Sequence, residues 1–230
     1  MSTVVITGSN RGIGLALATV YAERGDMVYA CCRAPSKAAE LLALAKRHTV
    51  TVTALDVGDD KSVAALAKQL GGLAVDTLIN NAGISGGPQE EQTATSMNFA
   101  AWADAFNINA MGPVRVMQAL LPALKRSRNA KVMSVTSQLG AISLDMAFAL
   151  GYSASKAALN KFMRLAASEL KSHGVAVGLV HPGWVKTDMG GPGASISPSE
   201  SAAGIAKVID QLSLQNAGGF WKWNGSRHDW

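Results

Sequence analysis

The N-terminal stretch constrains the fold most strongly, because a short β-branched run leads directly into a glycine-rich turn and then a helical pattern. Thr3-Val4-Val5-Ile6-Thr7 is typical of a strand buried on both faces in a parallel sheet. The turn runs from Gly8 to Gly14, and the helical pattern that follows extends from Leu15 to about Arg24. A strand that enters a helix in this way predicts the first βα unit of an α/β fold.

The remainder of the chain repeats this alternation of strands and helices, with no internal repeat and no low-complexity linker. The predicted strands are Thr3–Thr7, Asp26–Cys32, Val50–Leu55, Asp76–Ile79, Ala130–Val135, Val175–Val180 and a short one that starts at Gly218–Trp221. The later helices are predicted at Ser36–Lys46, Asp59–Leu70, Met97–Ile108, Gly112–Lys125, Ala154–Lys171 and Pro198–Leu214. The pattern predicts one doubly wound α/β domain over residues 1–230, a Rossmann fold with a parallel sheet of about seven strands flanked by helices.

The Gly8–Gly14 turn can bind a pyrophosphate, because its glycines let the backbone approach a phosphate and a helix N-terminus presents free N–H groups. The spacing G-x-x-x-G-x-G differs from the G-x-G-x-x-G dinucleotide fingerprint. A tight turn that merely needs glycines is the alternative.

The end of the second strand indicates which dinucleotide fits. An acidic residue there would bind a ribose 2′-OH, whereas a cation accommodates a 2′-phosphate. The sequence has Cys32 followed by Arg33, and Arg11 lies in the glycine turn, so two guanidinium groups can converge on one phosphate. This predicts NADP(H) rather than NAD(H), unless Arg33 is an ordinary solvated loop residue.

Polar residues follow other predicted strands at the edge where open α/β sheets bind ligands. Asp56 follows the third strand and could accept from the exocyclic amine of adenine, while Asn80-Asn81-Ala82-Gly83 follows the fourth. The amides of this second motif can either connect strand ends or meet the cofactor. Asn109 lies where two predicted helices meet, and it could either cap a helix or bind a water near the site. Ser137 follows the fifth strand, where its hydroxyl can donate to a substrate oxygen.

Tyr152 and Lys156 lie at i and i+4 of a predicted helix, so the phenol and the ammonium are neighbours. A nearby cation favours phenolate and should lower the pKa of the tyrosine toward neutrality, as acid/base work on an alcohol or carbonyl requires. The alternative is a surface helix that contains this pair by accident.

The sixth strand is followed by His181-Pro182-Gly183-Trp184-Val185-Lys186-Thr187-Asp188. This backbone and the Thr187 hydroxyl would lie against the far end of a cofactor, whereas a strand-end histidine such as His181 is more often structural. The small residues of Met189–Ser197 are typical of a mobile lid. No metal site is predicted.

The formal net charge is +5, but the basic residues are scattered, which disfavours nucleic acid as a partner. Cys31 and Cys32 are adjacent in an apolar run and are expected to be reduced and structural. No apolar stretch approaches eighteen residues, so we expect no membrane association and a cytoplasmic location. The apolar helices at Met111–Leu124 and Ala154–Leu170 could pair with a second subunit in a dimer or tetramer, and a monomer is compatible too.

Taken together, these motifs resemble the short-chain dehydrogenase/reductase family over essentially the whole chain. The matching motifs are Thr7-Gly8 through Gly12-x-Gly14, Asn80-Asn81-Ala82-Gly83, Asn109, Ser137, Tyr152-x-x-x-Lys156 and Pro182-Gly183. The segments Trp184–Gly191 and Gly219–Gly225 are similar to the carbonyl-reductase-type group that includes the sniffer and C-factor proteins. The interval from Ser137 to Tyr152 is a little longer than is usual in the family, which leaves the shape of the substrate pocket open.

This resemblance implies that Tyr152 is the acid/base, that Lys156 lowers its pKa and holds the nicotinamide ribose, that Ser137 orients the carbonyl and that Asn109 holds a water. It implies the following cofactor contacts: Gly8, Asn10, Arg11, Gly12, Ile13, Gly14, Arg33, Asp56, Val57, Asn81, Ala82, Gly83, Tyr152, Lys156, Pro182, Gly183, Val185 and Thr187. The expected function is reduction of a ketone or aldehyde, a small-molecule substrate, with NADPH. The alternative is a dinucleotide-binding regulatory or signalling protein in which catalysis is secondary or vestigial.

Overall fold

The computed structural model describes residues 1–230, and its seven strands form one all-parallel sheet in the order β3-β2-β1-β4-β5-β6-β7. The strands are β1 Thr3–Thr7, β2 Met27–Cys32, β3 Val50–Ala54, β4 Thr77–Asn80, β5 Ala130–Val135, β6 Val175–His181 and β7 Phe220–Lys222. The predicted α/β class, strand number and doubly wound topology are confirmed.

Seven α-helices cover the two faces of the sheet. They are α1 Gly12–Glu23, α2 Ala39–Ala45, α3 Asp60–Leu70, α4 Phe99–Phe106, α5 Gly112–Leu124, α6 Leu150–Leu170 and α7 Pro198–Gln211. None of them is long and apolar enough to cross a lipid bilayer.

Two apolar layers form because neighbouring residues of a strand point to opposite faces. Val5 belongs to the layer that includes Leu120 and Leu159, from α5 and α6. Ile6, the next residue in β1, belongs to the layer that includes Leu17 of α1 and other residues of α2 and α7. The continuous apolar sequence of β1 is therefore explained by burial on both sides.

The register of the sheet brings the ends of several strands to one edge. Ile6 of β1 pairs with Ala30 of β2 on one side and with Ile79 of β4 on the other. The chain therefore adds β2 and β3 on one side of β1 and then returns to add β4 on the other side, so the strand order reverses at β1. In open α/β sheets, ligands bind outside the carboxyl ends of the strands at such a reversal. The polar motifs that follow the strands consequently meet at this edge.

Two predicted helix boundaries are wrong. Helix α6 begins at Leu150 rather than Ala154. The backbone carbonyl and the side-chain Oε1 of Gln92 accept hydrogen bonds from the N–H groups of Leu150 and Tyr152 in its first turn. The predicted break around Asn109 does not exist either, because a π-helical turn at Asn107–Met111 joins α4 to α5. Asn109 is therefore inside a continuous helical segment and does not cap one.

The remaining differences are smaller. Helix α1 begins at Gly12, three residues before the predicted start, and the predicted Ser36–Lys46 helix is divided into a 3₁₀ turn at Pro35–Lys37 and α2. Cys31 and Cys32 are both free and buried, as the sequence predicted.

Candidate active site

A cleft of about 730 Å³ opens at the carboxyl edge of the sheet. It brings together most of the predicted site residues: Gly8, Asn10, Arg11, Gly12, Ile13, Gly14, Arg33, Asp56, Val57, Asn81, Ala82, Gly83, Tyr152, Lys156, Pro182 and Thr187. Four predicted residues do not line it, namely Asn109, Ser137, Gly183 and Val185. The cleft thus joins the glycine turn to the Tyr152–Lys156 pair.

The glycine turn is packed too closely for side chains. Gly8 has a φ of +68°, and a Cβ built there would lie 2.8 Å from the Cα of Ala82. A Cβ at Gly14 would lie 2.2 Å from the carbonyl oxygen of Gly8. These glycines hold the start of α1 against the ends of β1 and β4, which leaves the backbone of the turn at the cleft surface.

Thr7 and Asn81 connect the ends of β1 and β4. The Thr7 hydroxyl accepts from the backbone N–H groups of Asn81 and Ala82, each at 3.0 Å. The Asn81 side chain donates to the carbonyl oxygens of Thr7 and Gly8 at 3.0 and 3.1 Å. Of the two roles left open for this amide, the structure shows the connection of strand ends.

The N-terminus of α1 can accept an anion. No side chain caps this helix, and its first turn contains no acidic residue. The free N–H groups and the positive end of the helix dipole therefore face the cleft without a competing carboxylate in the first turn of the helix.

The two arginines predicted to converge on one phosphate have different surroundings. Arg11 forms an ion pair with Asp188, which follows β6. Arg33 is exposed at the rim of the cleft and forms no ion pair. Arg11 can join Arg33 at a phosphate only if its ion pair with Asp188 opens.

Asp56 is partly engaged in the turn that leads to α3. One of its carboxylate oxygens accepts from the backbone N–H of Gly58 at 2.8 Å, and its own N–H donates to the hydroxyl of Ser62 at 2.9 Å. Asp59, not Asp56, caps α3 by accepting from Lys61. Asp56 therefore remains at the cleft surface with its backbone fixed.

Tyr152 and Lys156 are neighbours on α6, with the Lys156 Nζ 5.8 Å from the centre of the Tyr152 ring. Lys156 is buried, and its Nζ donates to the carbonyl oxygen of Val135 at 3.1 Å. Because burial penalises a charged group, it lowers the pKa of Lys156 to about 8.

The predicted lowering of the Tyr152 pKa is wrong for this structure. Although part of the ring is exposed, burial raises the pKa of Tyr152 to about 12. The hydroxyl of Ser137, which can donate to a phenolate oxygen, acts in the opposite direction with a smaller effect. Desolvation of the phenol therefore determines the direction of the shift.

Asn109 is fully buried behind the cleft, and both hydrogens of its amide are used. Its Nδ2 donates to the carbonyl oxygen of Ile84 at 2.8 Å and to the Ser155 hydroxyl at 3.0 Å, while its Oδ1 accepts from the Ile84 N–H at 2.8 Å. A Cβ at Gly83 would lie 3.1 Å from this Oδ1 and 3.5 Å from the Nζ of Lys156. Asn109 therefore fixes the chain after β4 beside Lys156.

Ser137 is buried at the start of a 3₁₀ turn, Gln138–Gly140, which its hydroxyl caps by accepting from the N–H of Leu139 at 3.2 Å. The next residue, Gln138, donates its N–H to the Nδ1 of His181 at 3.2 Å. His181 therefore supports the backbone beside Ser137. The sequence predicted a structural role for this histidine, but no sequence pattern indicated that its partner would be Gln138.

The segment after β6 is folded on itself. Trp184 donates its indole N–H to the carbonyl oxygen of Gly190 at 2.8 Å, and its own carbonyl oxygen accepts from the N–H of Ile196 at 3.1 Å. Val185 pairs with Ile196 and is buried, and a Cβ at Gly183 would lie 2.3 Å from the Ile196 side chain. This packing explains why Gly183 and Val185 do not line the cleft.

Comparison with known proteins identifies the class. Residues 2–195 match the family model of the short chain dehydrogenases. The C-signal protein of Myxococcus xanthus is 40% identical over 157 residues, which cover 68% of this chain and 93% of that protein. The chain therefore belongs to the short chain dehydrogenase family of oxidoreductases.

Carbonyl reductases of this family are among the solved structures that are similar to this chain. The NADPH-bound carbonyl reductase from chicken fatty liver is 33% identical and has a TM-score of 0.93, with 100% of this chain and 99% of that chain covered. The carbonyl reductase Sniffer of D. melanogaster is 28% identical, also with a TM-score of 0.93, and both chains are fully covered. The predicted resemblance to this family and to its carbonyl-reductase-type group is confirmed.

Proposed function

We propose that this protein is an NADPH-dependent carbonyl reductase in which Tyr152 supplies the proton. The observation that supports this most directly is the cleft shared by the glycine turn and the Tyr152–Lys156 pair. It places a phosphate-binding backbone and an acid/base group on one continuous surface. The NADPH named with the chicken liver structure agrees with this proposal.

The residues present fit a nicotinamide dinucleotide. Close packing at Gly8 and Gly14 leaves the backbone of the turn at the cleft surface, and the uncapped start of α1 suits a pyrophosphate. We assign the phosphates to the Gly8–Gly14 turn, the adenine to Asp56 and Val57, and the nicotinamide end to Lys156 and the Pro182–Thr187 backbone. When bound, the nicotinamide supplies the hydride.

The preference for NADP(H) rests on Arg33. It follows β2 at the cleft rim, is exposed and has no carboxylate partner, so its charge is available to a 2′-phosphate. Arg11 would add a second cation when its ion pair with Asp188 opens.

In the proposed mechanism, the carbonyl carbon of the substrate receives the hydride and the carbonyl oxygen receives the phenol proton of Tyr152, which gives an alcohol. The raised pKa keeps the phenol protonated at neutral pH, as a proton donor requires. The Lys156 ammonium stabilises the phenolate that forms, and the Ser137 hydroxyl donates to the substrate oxygen.

Asn109 has a different role from the one expected of a free amide. Both hydrogens of its side chain bind Ile84 and Ser155, so we propose that it positions the chain after β4 beside Lys156. Any water that it holds would bind its backbone, which lies in the π-helical turn.

The proposal is tested by measuring NADPH consumption with a panel of aromatic and aliphatic aldehydes, ketones and quinones, and by identifying the alcohol product. We expect at least one class to be reduced with one NADPH consumed per alcohol formed. If NADPH binds but no carbonyl compound is reduced, the second candidate is favoured. That candidate is a nucleotide-binding signalling protein, which the similarity to C-signal supports.

A further inference from the structure

Gln92 lies in the polar stretch between β4 and α4, yet it is almost completely buried, with 3% of its surface exposed. Its Oε1 accepts from the backbone N–H of Tyr152 at 2.9 Å. Its Nε2 donates to the carbonyl oxygens of Ser85 and Gly87 at 3.0 and 2.9 Å. One amide therefore joins the catalytic helix to the chain that follows β4.

Helix α6 needs these contacts because it has no cap of its own. The preceding residue, Ala149, has a φ of +44°, which is in the left-handed region, and offers no capping side chain. The first N–H groups of a helix have no partner within the helix. Gln92 supplies two partners, since its backbone carbonyl accepts from Leu150 at 3.0 Å and its Oε1 accepts from Tyr152.

The first turn of α6 also lies directly on Gln92. A Cβ at Gly151 would be 3.2 Å from the Oε1 of Gln92 and 3.1 Å from the Cδ1 of Trp102. The position of this turn is thus set by contacts with Gln92 and Trp102, and it contains Tyr152 itself.

We propose that Gln92 is a positioning residue that sets the location of the Tyr152 phenol relative to the cleft, and that it couples this location to the Ser85–Gly87 segment. Its catalytic consequence rests on the function proposed above. Glutamine is suited to this role because it accepts from α6 and donates to the segment at the same time. Methionine fills a similar volume but can replace neither set of hydrogen bonds.

The first test compares Gln92→Met with Gln69→Met, in which an exposed glutamine on α3 whose side chain bonds only to Thr53 is replaced. With NADPH and 4-nitrobenzaldehyde, we expect kcat of Gln92→Met to fall about 100-fold, since small displacements at a reacting centre have effects of this size. NADPH affinity should change less than about threefold, because no pyrophosphate contact is altered.

The pH profile separates positioning from a general loss of structure. Burial lowers the pKa of Lys156 to about 8, so the basic limb of the kcat profile reports the loss of its charge. If the first turn of α6 moves, water reaches the Lys156 ammonium and its pKa rises, so the basic limb of Gln92→Met should move to higher pH. Gln69→Met should keep the limb of the wild type. A lower kcat with an unmoved limb, or a wild-type kcat, would overturn the proposal.

A second readout does not depend on activity. Hydrogen exchange in peptides that contain Leu150–Ser153 and Ser85–Gly87 should be about tenfold faster in Gln92→Met than in the wild type or Gln69→Met. Gln92→Glu should protect the first peptide and release the second, because a carboxylate accepts but does not donate. If the wild type reduces no aldehyde, the proposed function fails, whereas unchanged exchange in Gln92→Met would refute the positioning contact itself.

Discussion

The Nδ1 of His181 accepts the backbone N–H of Gln138 at 3.2 Å, which joins the end of β6 to the residue after Ser137. This bond requires an unprotonated Nδ1. Burial is the main reason that the pKa of His181 is lowered to about 4, and His228 and Lys222 lower it further. The histidine is therefore neutral in the folded protein across the physiological range.

This relationship predicts an acid-sensitive contribution to stability. Because the pKa is lower in the folded state than the ordinary 6.5, the unfolded state binds more protons, and stability is lost as the pH falls from 6.5 through 4. The loss is at most about 3 kcal/mol for this group.

We expect the free energy of unfolding of the wild type to fall more steeply over that window than that of His181→Gln, measured by urea denaturation at several pH values. His173→Gln, at an exposed position, should follow the wild type. Parallel curves for the wild type and His181→Gln would rule out the contribution.

Arg33→Ala should change cofactor preference. A charge-assisted hydrogen bond contributes about 1.5–3 kcal/mol, so NADPH binding should weaken by roughly tenfold or more. NADH binding should change less than about threefold, because NADH has no 2′-phosphate for Arg33 to bind. Fluorescence titration with both nucleotides measures the effect.

The control for this substitution is Lys37→Ala, which removes an exposed cation outside the cleft and should leave both affinities unchanged. Equal weakening of NADPH and NADH in Arg33→Ala would show that Arg33 does not recognise the 2′-phosphate.

The burial of Lys156 predicts that the free energy of unfolding changes with pH in the alkaline range. Its pKa is lowered from 10.5 to about 8 by burial, so the unfolded state binds more protons between these values and stability rises with pH across them. At neutral pH the buried charge costs at most about 3 kcal/mol, which the bond to Val135 partly offsets.

The stability of the wild type relative to Lys156→Met should therefore increase from pH 7.5 to pH 10, as measured by urea denaturation. Lys161→Met, at an exposed position of the same helix, is the matched control and should show no such trend. A constant difference between the wild type and Lys156→Met would mean that the lysine is not desolvated as described.

The sequence predicted the positions of the strands along the chain and the glycine turn because these signals are local. Buried β-branched runs identify β1 and β6, and the glycines after β1 are needed where the turn packs against β4. Most predicted cofactor residues line one cleft because they follow parallel strands, and parallel strands end at one edge of the sheet.

Features that depend on distant parts of the chain could not be predicted. The start of α6 is set by Gln92, which is 60 residues from Tyr152, and the Arg11–Asp188 ion pair joins residues 177 apart. The raised pKa of Tyr152 follows from burial, which the i, i+4 spacing with Lys156 does not reveal.

The most direct test of the account is to compare the wild type with Tyr152→Phe for both NADPH binding and NADPH-dependent reduction of the best carbonyl compound in the panel. Because phenylalanine keeps the ring but has no proton to donate, we predict that NADPH affinity stays within about threefold while the rate falls by about 1000-fold. If Tyr152→Phe reduced the substrate at the wild-type rate, Tyr152 would not be the proton donor and the proposed mechanism would be wrong.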